Sequence, residues 1–502
     1  MELVGGSVTL KSGVKIPGGS LAISAGDGDI VLGGRIEMTG VRVPLRDVNR
    51  YVDGGRIRVQ SSRGNIQLLP ESVVDVSAVS EGGEAGSVQL LAPGGRVEFG
   101  GVLVGRGGSG GSFELDQQSA PSTGMARLGE TLKEGGFLRS HAFRFRSGDV
   151  LVDGMFDARE FRLAADIGTI AVTGTIGSHG ETGGRISLTA FGDIALGESA
   201  LLDVSAKRFD AAGKGGWIRL EAGAQNSGLV NQGALLRMEG GRLVLGVDES
   251  VEARADRFQG VVHLRAPVSA DGLDVQVSRI ASRIEGASVV SVEGYRLYAL
   301  EGLDGVLDAG MQARVKADAE SWLGIAGGVS GGYPTMLQRV TGGDATLMGQ
   351  VVFRPGVEVI NKEGGIRFAS DWDLSGARFG PLSVPGNLMI RAVGDLSLES
   401  GGLSDGFVSS AFNAQMQAMN PLLPANVQSW SYRLVAGAEM TSVDGLRTSE
   451  NVTGSLLLGK DGGANVALRP STGALATSSS ALTGRFQVIR TGSGDIDVSV
   501  AG

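Results

Sequence analysis

The chain has 502 residues, of which 84 are glycine, and its formal net charge is −9 at pH 7. It contains no cysteine, which excludes disulfides and thiolate metal sites. The arginines are dispersed along the chain, which argues against nucleic acid as a partner because phosphate binding needs a concentrated cationic face.

The first clear unit begins at Gly54 with Gly-Gly-Arg-Ile-Arg-Val, and it continues with Gly64-Asn-Ile-Gln-Leu and Val73-Val-Asp-Val-Ser-Ala. A near-duplicate begins at Gly183 and continues with Gly192-Asp-Ile-Ala-Leu and Leu201-Leu-Asp-Val-Ser-Ala. One supersecondary unit has been reused, so the sequence indicates a repeat protein. Strands of four or five residues cannot stand alone and must stack on copies above and below, which predicts a β-solenoid.

Apolar and polar residues alternate within each unit, which is the period of a half-buried strand. The aliphatic set is expected to face inward and consists of Ile57, Val59, Ile66, Leu68, Val74, Val76, Ile186, Leu188, Ile194, Leu196, Leu202, Val204, Ile218 and Leu220. The interleaved set is expected in solvent and consists of Arg56, Arg58, Asn65, Gln67, Asp75, Arg185, Asp193, Asp203, Arg219 and Glu221.

A short turn motif, Gly followed by Asp or Asn and then aliphatic-x-aliphatic, recurs at Gly28, Gly64, Gly148, Gly192, Gly394 and Gly494. Glycine supplies positive φ without steric cost, and Asp or Asn can bond its own backbone two residues on. Each motif therefore predicts a turn that leads into a strand.

Three stretches break the strand pattern and predict short helices against the solenoid or over a gap in it: 123–134, 308–323 and 409–420. Met125, Leu128 and Leu132 share one face of the first helix, which Gly135-Gly136 should end. Asp308 is the expected N-cap of the second helix.

The resulting division assigns solenoid coils to 1–118, 143–307, 341–402 and 429–502, with helical inserts at 119–142, 308–340 and 403–428. About twenty coils, each about 4.8 Å thick, predict a rod about 100 Å long. The amino terminus lacks a signal-peptide pattern, no apolar run is long enough for a membrane span, and the last coil is expected to be truncated.

These repeats, together with Asp371-Trp-Asp-Leu-Ser, Pro385-Gly-Asn-Leu-Met-Ile-Arg-Ala and Ser429-Trp-Ser-Tyr-Arg-Leu-Val-Ala-Gly, resemble the filamentous haemagglutinin family over most of the chain. The resemblance implies an all-β, right-handed parallel β-helix in a large secreted or cell-surface bacterial exoprotein. It implies cell adhesion as the role and an outer-membrane two-partner-secretion transporter as a partner. A receptor or glycan on host or neighbouring cells is a further expected partner.

Family members carry an Asn-Pro-Asn-Leu signature in an amino-terminal secretion domain, whereas here only Asn420-Pro-Leu-Leu echoes it. The departure from this signature favours an internal shaft segment. No enzyme activity, no catalytic or metal-binding residues and no cofactor are expected. Two alternatives are a β-helix polysaccharide lyase or hydrolase and a self-associating matrix filament.

Several residues are candidate sites. Asp75 and Asp203 lie many coils apart, too far for a paired-carboxylate mechanism, so both are expected in solvent. Gly26-Asp-Gly-Asp-Ile resembles a single calcium-binding turn without the consecutive copies that such sites need. His141, His179 and His263 are far apart and expected on the surface.

Trp217 could stack on a sugar or partner, or be covered by the loop containing Phe209. Trp322, Trp372 and Trp430 are expected to pack inserts onto the shaft.

Overall fold

The computed structural model describes residues 1–122, 124–226, 233–249, 260–398, 401–405, 428–459 and 489–501. Strands make up 46% of it and helices 9%, which confirms the prediction of an all-β protein. All but two of the described strands belong to parallel sheets.

Short strands fill the first part of the chain. They are β1 (Glu2–Gly5), β2 (Val8–Leu10), β3 (Val14–Lys15), β4 (Ser20–Ala25), β5 (Ile30–Leu32), β6 (Arg35–Glu37), β7 (Val41–Leu45), β8 (Val48–Val52), β9 (Arg56–Ser61), β10 (Ile66–Leu68), β11 (Val73–Asp75), β12 (Ser87–Ala92), β13 (Val97–Phe99), β14 (Val102–Val104) and β15 (Ser112–Ser119).

The same pattern resumes after helix α1 (Ala126–Gly135). The strands are β16 (Ser140–Ser147), β17 (Val150–Val152), β18 (Met155–Asp157), β19 (Glu160–Ala165), β20 (Ile170–Val172), β21 (Thr175–Gly177), β22 (Arg185–Ala190), β23 (Ile194–Leu196), β24 (Leu201–Asp203), β25 (Trp217–Ala222), β26 (Leu236–Met238), β27 (Arg242–Val244), β28 (Gly260–Pro267) and β29 (Arg283–Glu285).

The last part contains longer strands and three more helices. Its elements are β30 (Ala287–Leu300), β31 (Asp304–Leu307), α2 (Ala309–Leu323), α3 (Tyr333–Thr341), α4 (Ala345–Gln350), β32 (Val351–Asn361), β33 (Gly365–Phe368), β34 (Trp372–Asp373), β35 (Asn387–Ala392), β36 (Leu396–Leu398), β37 (Leu403–Ser404), β38 (Ser431–Ala436), β39 (Leu456–Leu458), β40 (Ile489–Arg490) and β41 (Ile496–Val500).

The repeat unit is a six-residue strand followed by two short ones. The longer strands form one sheet, here called the long sheet, whose order among the described residues is β1-β4-β9-β12-β15-β16-β19-β22-β25-β28-β30-β32-β35-β38-β41. The short strands form separate stacks, such as β13-β10-β5-β2 and β14-β11-β6-β3. A complete unit therefore places one strand in each of three stacks, and like residues meet in register, as Ile186 does with Ile218.

The interior matches the sequence alternation. All fourteen aliphatic residues that were predicted to face inward are at most 1% exposed. Outside this parallel pattern, β7 and β8 form an antiparallel hairpin that carries the exposed side chains of Leu45 and Val48.

The Gly-Asp turns bond differently from the prediction. Asp29 Oδ1 accepts from the backbone N of Asn65 at 2.7 Å, and Asn65 Oδ1 accepts from the backbone N of Arg96 at 3.0 Å. Asp149 does the same for Thr169 at 3.0 Å. The side chain satisfies the N–H group of the next unit in the stack rather than its own turn, because the parallel stack brings that donor closer.

Helix α1 fills a gap in the wall of short strands. It contacts both β14 and β18, which belong to different stacks, and it buries Met125, Leu128 and Leu132 as predicted. Added Cβ atoms would lie 2.4 Å from the Met155 carbonyl at Gly129 and 2.5 Å from the Leu103 carbonyl at Gly135. Glycine is therefore needed at both contacts.

The second predicted helix is confirmed as α2. Asp308 Oδ1 accepts from the backbone N of Met311 at 2.8 Å, so Asp308 is its N-cap. The Trp322 side chain is 2% exposed and packs against Gly294 of the long sheet. The third predicted helix, at 409–420, lies outside the described residues.

One boundary was wrong, since 341–402 was expected to contain only solenoid coils. Helix α4 occupies Ala345–Gln350 and is capped by Asp344, whose side chain accepts from Leu347 N at 2.9 Å. This six-residue helix buries none of its side chains, so it leaves no apolar periodicity in the sequence.

Candidate binding cleft and buried ion network

The segment that follows β38, near one end of the long sheet, packs against the outer face of β16 in the middle of the same sheet. Arg144 lies on β16, the sixth strand, and its Nη2 donates to Oε1 of Glu439 at 2.7 Å, although Glu439 follows β38, the fourteenth strand. Eight strand spacings would separate these positions by about 40 Å in a flat sheet. The expected straight rod is therefore wrong for the described part of the chain.

The bend coincides with the long strands β30 and β32. Among the described strands, residues 351–355 of β32 pair with β30 alone, whereas residues 356–361 pair with both β30 and β35. The next stack is thus displaced along the strand direction. This displacement lets the later strands pack across the outer face of the earlier ones.

Arg265 on β28 lies at the centre of the first buried ion network. Its Nε donates to Glu293 at 2.8 Å, its Nη2 donates to Glu358 at 3.0 Å, and its Nη1 donates to Glu221. Its Cζ lies 4.0 Å from the ring centroid of Tyr295. All four charged side chains belong to residues no more than 4% exposed.

Glu293 also accepts hydrogen bonds from its other neighbours. Its Oε2 lies 2.7 Å from His263 Nε2 and accepts from Asn387 Nδ2 at 2.7 Å. Burial alone would raise the pKa of Glu293, but Arg265 and His263 outweigh burial and hold this pKa far below its usual range. Glu293 is therefore an ionised structural anion rather than a proton donor.

A second network joins the outer face of β16 to Glu439, which follows β38. Arg144 Nε donates to Asp166 at 2.7 Å, and Arg146 Nε donates to Asp116 at 2.7 Å. Burial raises the pKa of Asp166, and its pairing with Arg144 only partly offsets this rise. Burial would also raise the pKa of Glu439, but hydrogen bonding and charge from Arg144 lower it overall.

These networks correct the prediction for Arg219 and Glu221. Both side chains occupy the outer face of the sheet, as the alternation indicated, but the residues are only 7% and 4% exposed. They are covered because the opposite end of the sheet packs over them. Arg185, which lies on the outer face of the neighbouring strand in register with Trp217, is exposed. Arg56 on the outer face of β9 is exposed as well.

Four charged residues at or near the cleft share a register pattern that becomes visible only when the repeats are aligned correctly. Glu221, Arg265, Glu293 and Arg354 occupy one register position on four successive strands of the long sheet. Their charges alternate in sign, which stabilises neighbouring cross-strand positions. The wide and unequal spacing of these residues in sequence conceals the pattern.

A cleft of about 450 Å³ lies between the two facing parts of the sheet. One side comes from β25, β28 and β30, and the other comes from β35, β38 and the segment leading into β41. The lining includes Trp217, Val261, Val289, Arg354, Asn387 and Asp495. This lining combines an apolar surface with hydrogen-bonding and charged groups, which is the composition expected of a ligand site.

Arg354 is a half-buried cation on the wall of the cleft. Within the described residues its side chain donates to Gln428 and forms no ion pair. Burial lowers the pKa of Arg354, and the charge of Glu293 offsets only part of that effect. On the opposite wall, partial burial and the neighbouring Asp495 raise the pKa of Asp497.

Trp217 lies half-buried on the cleft wall. Phe209 instead packs with Ala206 and Val247 in a small separate cluster. Of the two hypotheses for Trp217, the structure therefore favours an accessible surface. Trp372 and Trp430 are buried, and Trp430 Nε1 donates to the Ala377 carbonyl at 2.9 Å, so it anchors a connecting segment to the sheet.

Asp75 and Asp203 have structural roles in turns. Their Oδ1 atoms accept from the backbone N of Ser77 and Ser205, each at 2.9 Å. This contact explains the repeated Asp-Val-Ser sequence. Asp27 pairs with Arg63 at 3.2 Å in the turn that resembles a calcium motif.

The prediction of a surface position was wrong for two of the three histidines. His179 is exposed, but His141 is 1% and His263 is 9% exposed. His141 occupies an inward position between Phe113 and Phe161 in register, so it substitutes for an aromatic core residue. Burial lowers the pKa of His141 to about 4, although a hydrogen bond to the Phe137 carbonyl opposes this shift.

Within the described ranges, no group of three or more His, Cys, Asp or Glu side chains is arranged to hold a metal ion. No helix in the same part of the chain is both long and apolar enough to cross a membrane. Comparisons with family models, curated proteins and solved structures found no match to this chain. The resemblance to filamentous haemagglutinins therefore stays a prediction.

Proposed function

We propose that the chain is a right-handed parallel β-helix that forms a shaft segment of a filamentous-haemagglutinin-like adhesin. The observation that supports this proposal most is the in-register parallel stacking of fifteen described strands in the long sheet, with six described parallel stacks of short strands beside it. Crossovers between parallel strands are right-handed in nearly all proteins, which favours that hand here. Nearest-neighbour stacking extends readily and presents a long surface for binding.

The proposed location is the bacterial cell surface or the medium, after two-partner secretion through an outer-membrane transporter. The repeated Gly-Gly-x-Ile-x-Leu and Leu-Asp-Val-Ser-Ala segments carry this part of the proposal. The absence of cysteine is compatible with it, because a chain that crosses the periplasm unfolded cannot then be trapped by oxidation.

The test is to fuse the chain behind a two-partner secretion domain and to express it with the matching transporter. The proposal predicts surface display and increased attachment of the displaying cells to epithelial or bacterial layers. An unrelated β-helix of similar length, displayed in the same way, is the control. Attachment no better than that control would overturn the adhesin role, and self-association without attachment would favour the matrix filament.

A second candidate function is a polysaccharide lyase or hydrolase. The specific observation in its favour is that Asp495 and Asp497 lie at the cleft and that the pKa of Asp497 is raised. A carboxylic acid with a raised pKa beside a second carboxylate is typical of glycosidases. Cleavage of any member of a polysaccharide panel, abolished by Asp497→Asn, would support this function over the shaft alone.

A further inference from the structure

We propose that the cleft binds a saccharide that bears an anionic group, a carboxylate or a sulfate. This inference rests on the proposed adhesin function and names its ligand class and site. The cleft is where two parts of the outer face of the long sheet approach each other without filling the space between them.

An apolar strip runs along one wall of the cleft. Trp217 pairs in register with Val261 on the next strand, and Val261 pairs with Val289 on the strand after it. All three residues are half-buried and line the cleft. A sugar ring has an apolar face that an accessible tryptophan can cover, and the two valines extend that surface by about 10 Å along the stack.

The charges of the cleft are unequally paired. Three carboxylates neutralise Arg265, and Glu293 pairs with Arg265 and lies 2.7 Å from His263 Nε2. Arg433 lies 3.9 Å from Asp497. Arg354 forms no ion pair within the described residues, and the charge of Glu293 offsets only part of the cost of burying it. An anionic group on a ligand would supply the missing partner with bidentate geometry.

The position of Arg354 also favours a ligand. Arg354 ends the alternating series of Glu221, Arg265 and Glu293, because among the described strands residues 351–355 pair with β30 alone. Its guanidinium therefore lies at the edge of the covered zone, where Asn387 and Ser431 supply hydrogen-bonding groups. Hydroxyl groups of a sugar match these donors and acceptors.

The experiment is calorimetric titration of the purified chain with three matched oligosaccharide sets: neutral, uronate-containing and sulfated. We expect binding of at least one anionic set, with weaker or undetectable binding of the neutral set. Arg354→Gln should weaken that binding by about tenfold to a hundredfold, as expected for the loss of a charged hydrogen bond. Arg96→Gln, which removes an exposed arginine outside the cleft, is the matched control.

Trp217→Ala and Trp217→Phe separate stacking from folding. The alanine variant should lose most of the affinity and the phenylalanine variant should retain part of it, with thermal midpoints measured for each. Equal binding of neutral sugars, or unchanged affinity in both Arg354→Gln and Trp217→Ala, would overturn the inference. If cell attachment persists while no saccharide binds, only this inference fails and the proposed adhesin function stands.

Discussion

The outer faces of β9 and β25 carry similar residues in the same sheet, yet their surroundings differ. Arg56 on β9 is exposed, whereas Arg219 on β25 is only 7% exposed and pairs with Glu221. The inner faces of both strands are equally apolar and buried. The comparison teaches that alternation identifies the face of a strand, while burial of the outer face depends on what packs over it.

The largest effect is expected when a buried charge is left without its partner. Arg265→Ala removes the cation shared by three carboxylates and should destabilise the protein by about 3–5 kcal/mol. Arg56→Ala on the exposed face should cost no more than about 0.5 kcal/mol. Urea unfolding followed by circular dichroism would measure both. Equal losses would mean that the covered face is not covered in solution.

A similar contrast applies to histidine. The pKa of His141 is about 4 in the folded chain against 6.5 for an unperturbed histidine, so the folded state binds fewer protons. Above about pH 6.5 the free energy of unfolding is therefore unaffected by His141. As the pH falls toward 4, protonation of the unfolded state lowers this free energy by about 3 kcal/mol in total.

Unfolding curves between pH 8 and 4 for wild type, His141→Phe and His179→Gln would check this expectation. The phenylalanine variant should remove this part of the pH dependence, since its register neighbours are Phe113 and Phe161. The exposed His179 variant should keep it. An unchanged slope in His141→Phe would show that His141 is not buried as a neutral group.

Glu439→Ala should selectively weaken the contact between β16 and the segment that follows β38. This change removes the partner of Arg144 and Arg447 and should cost about 2 kcal/mol. Hydrogen exchange should rise around residues 437–449 and on the outer face of β16. Glu450→Ala, which removes the exposed pair with Arg58, is the control and should change exchange little. Increases of equal size would contradict the packing described here.

The smallest effect is expected at the turns. Asp149→Ala leaves the Thr169 N–H without its acceptor and should cost about 1 kcal/mol. Asp149→Asn should be nearly neutral, because Asn65 performs the same role in its own stack. Thermal midpoints of the two variants would test this difference. A loss as large in the asparagine variant would indicate that charge rather than hydrogen bonding matters.

The candidate site was predictable only in fragments. The accessible position of Trp217 was one of two hypotheses that the sequence left open, and it follows from the outward register beside Ile218. Arg354 and Asp495 were not identified, because the cleft joins strands as far apart in the sequence as β25 and β38. No local pattern records which distant strands face each other.

Local periodicity by itself determined the all-β class, the inward aliphatic residues and two capped helices, because strand alternation and capping depend on neighbouring residues. The tertiary structure alone decided that Glu221, Arg265 and Glu358 are buried, and that Asp and Asn side chains bond to the next unit. Both outcomes arise from contacts between segments far apart in the chain, where the covering surface, and not the residue type, determines access to water.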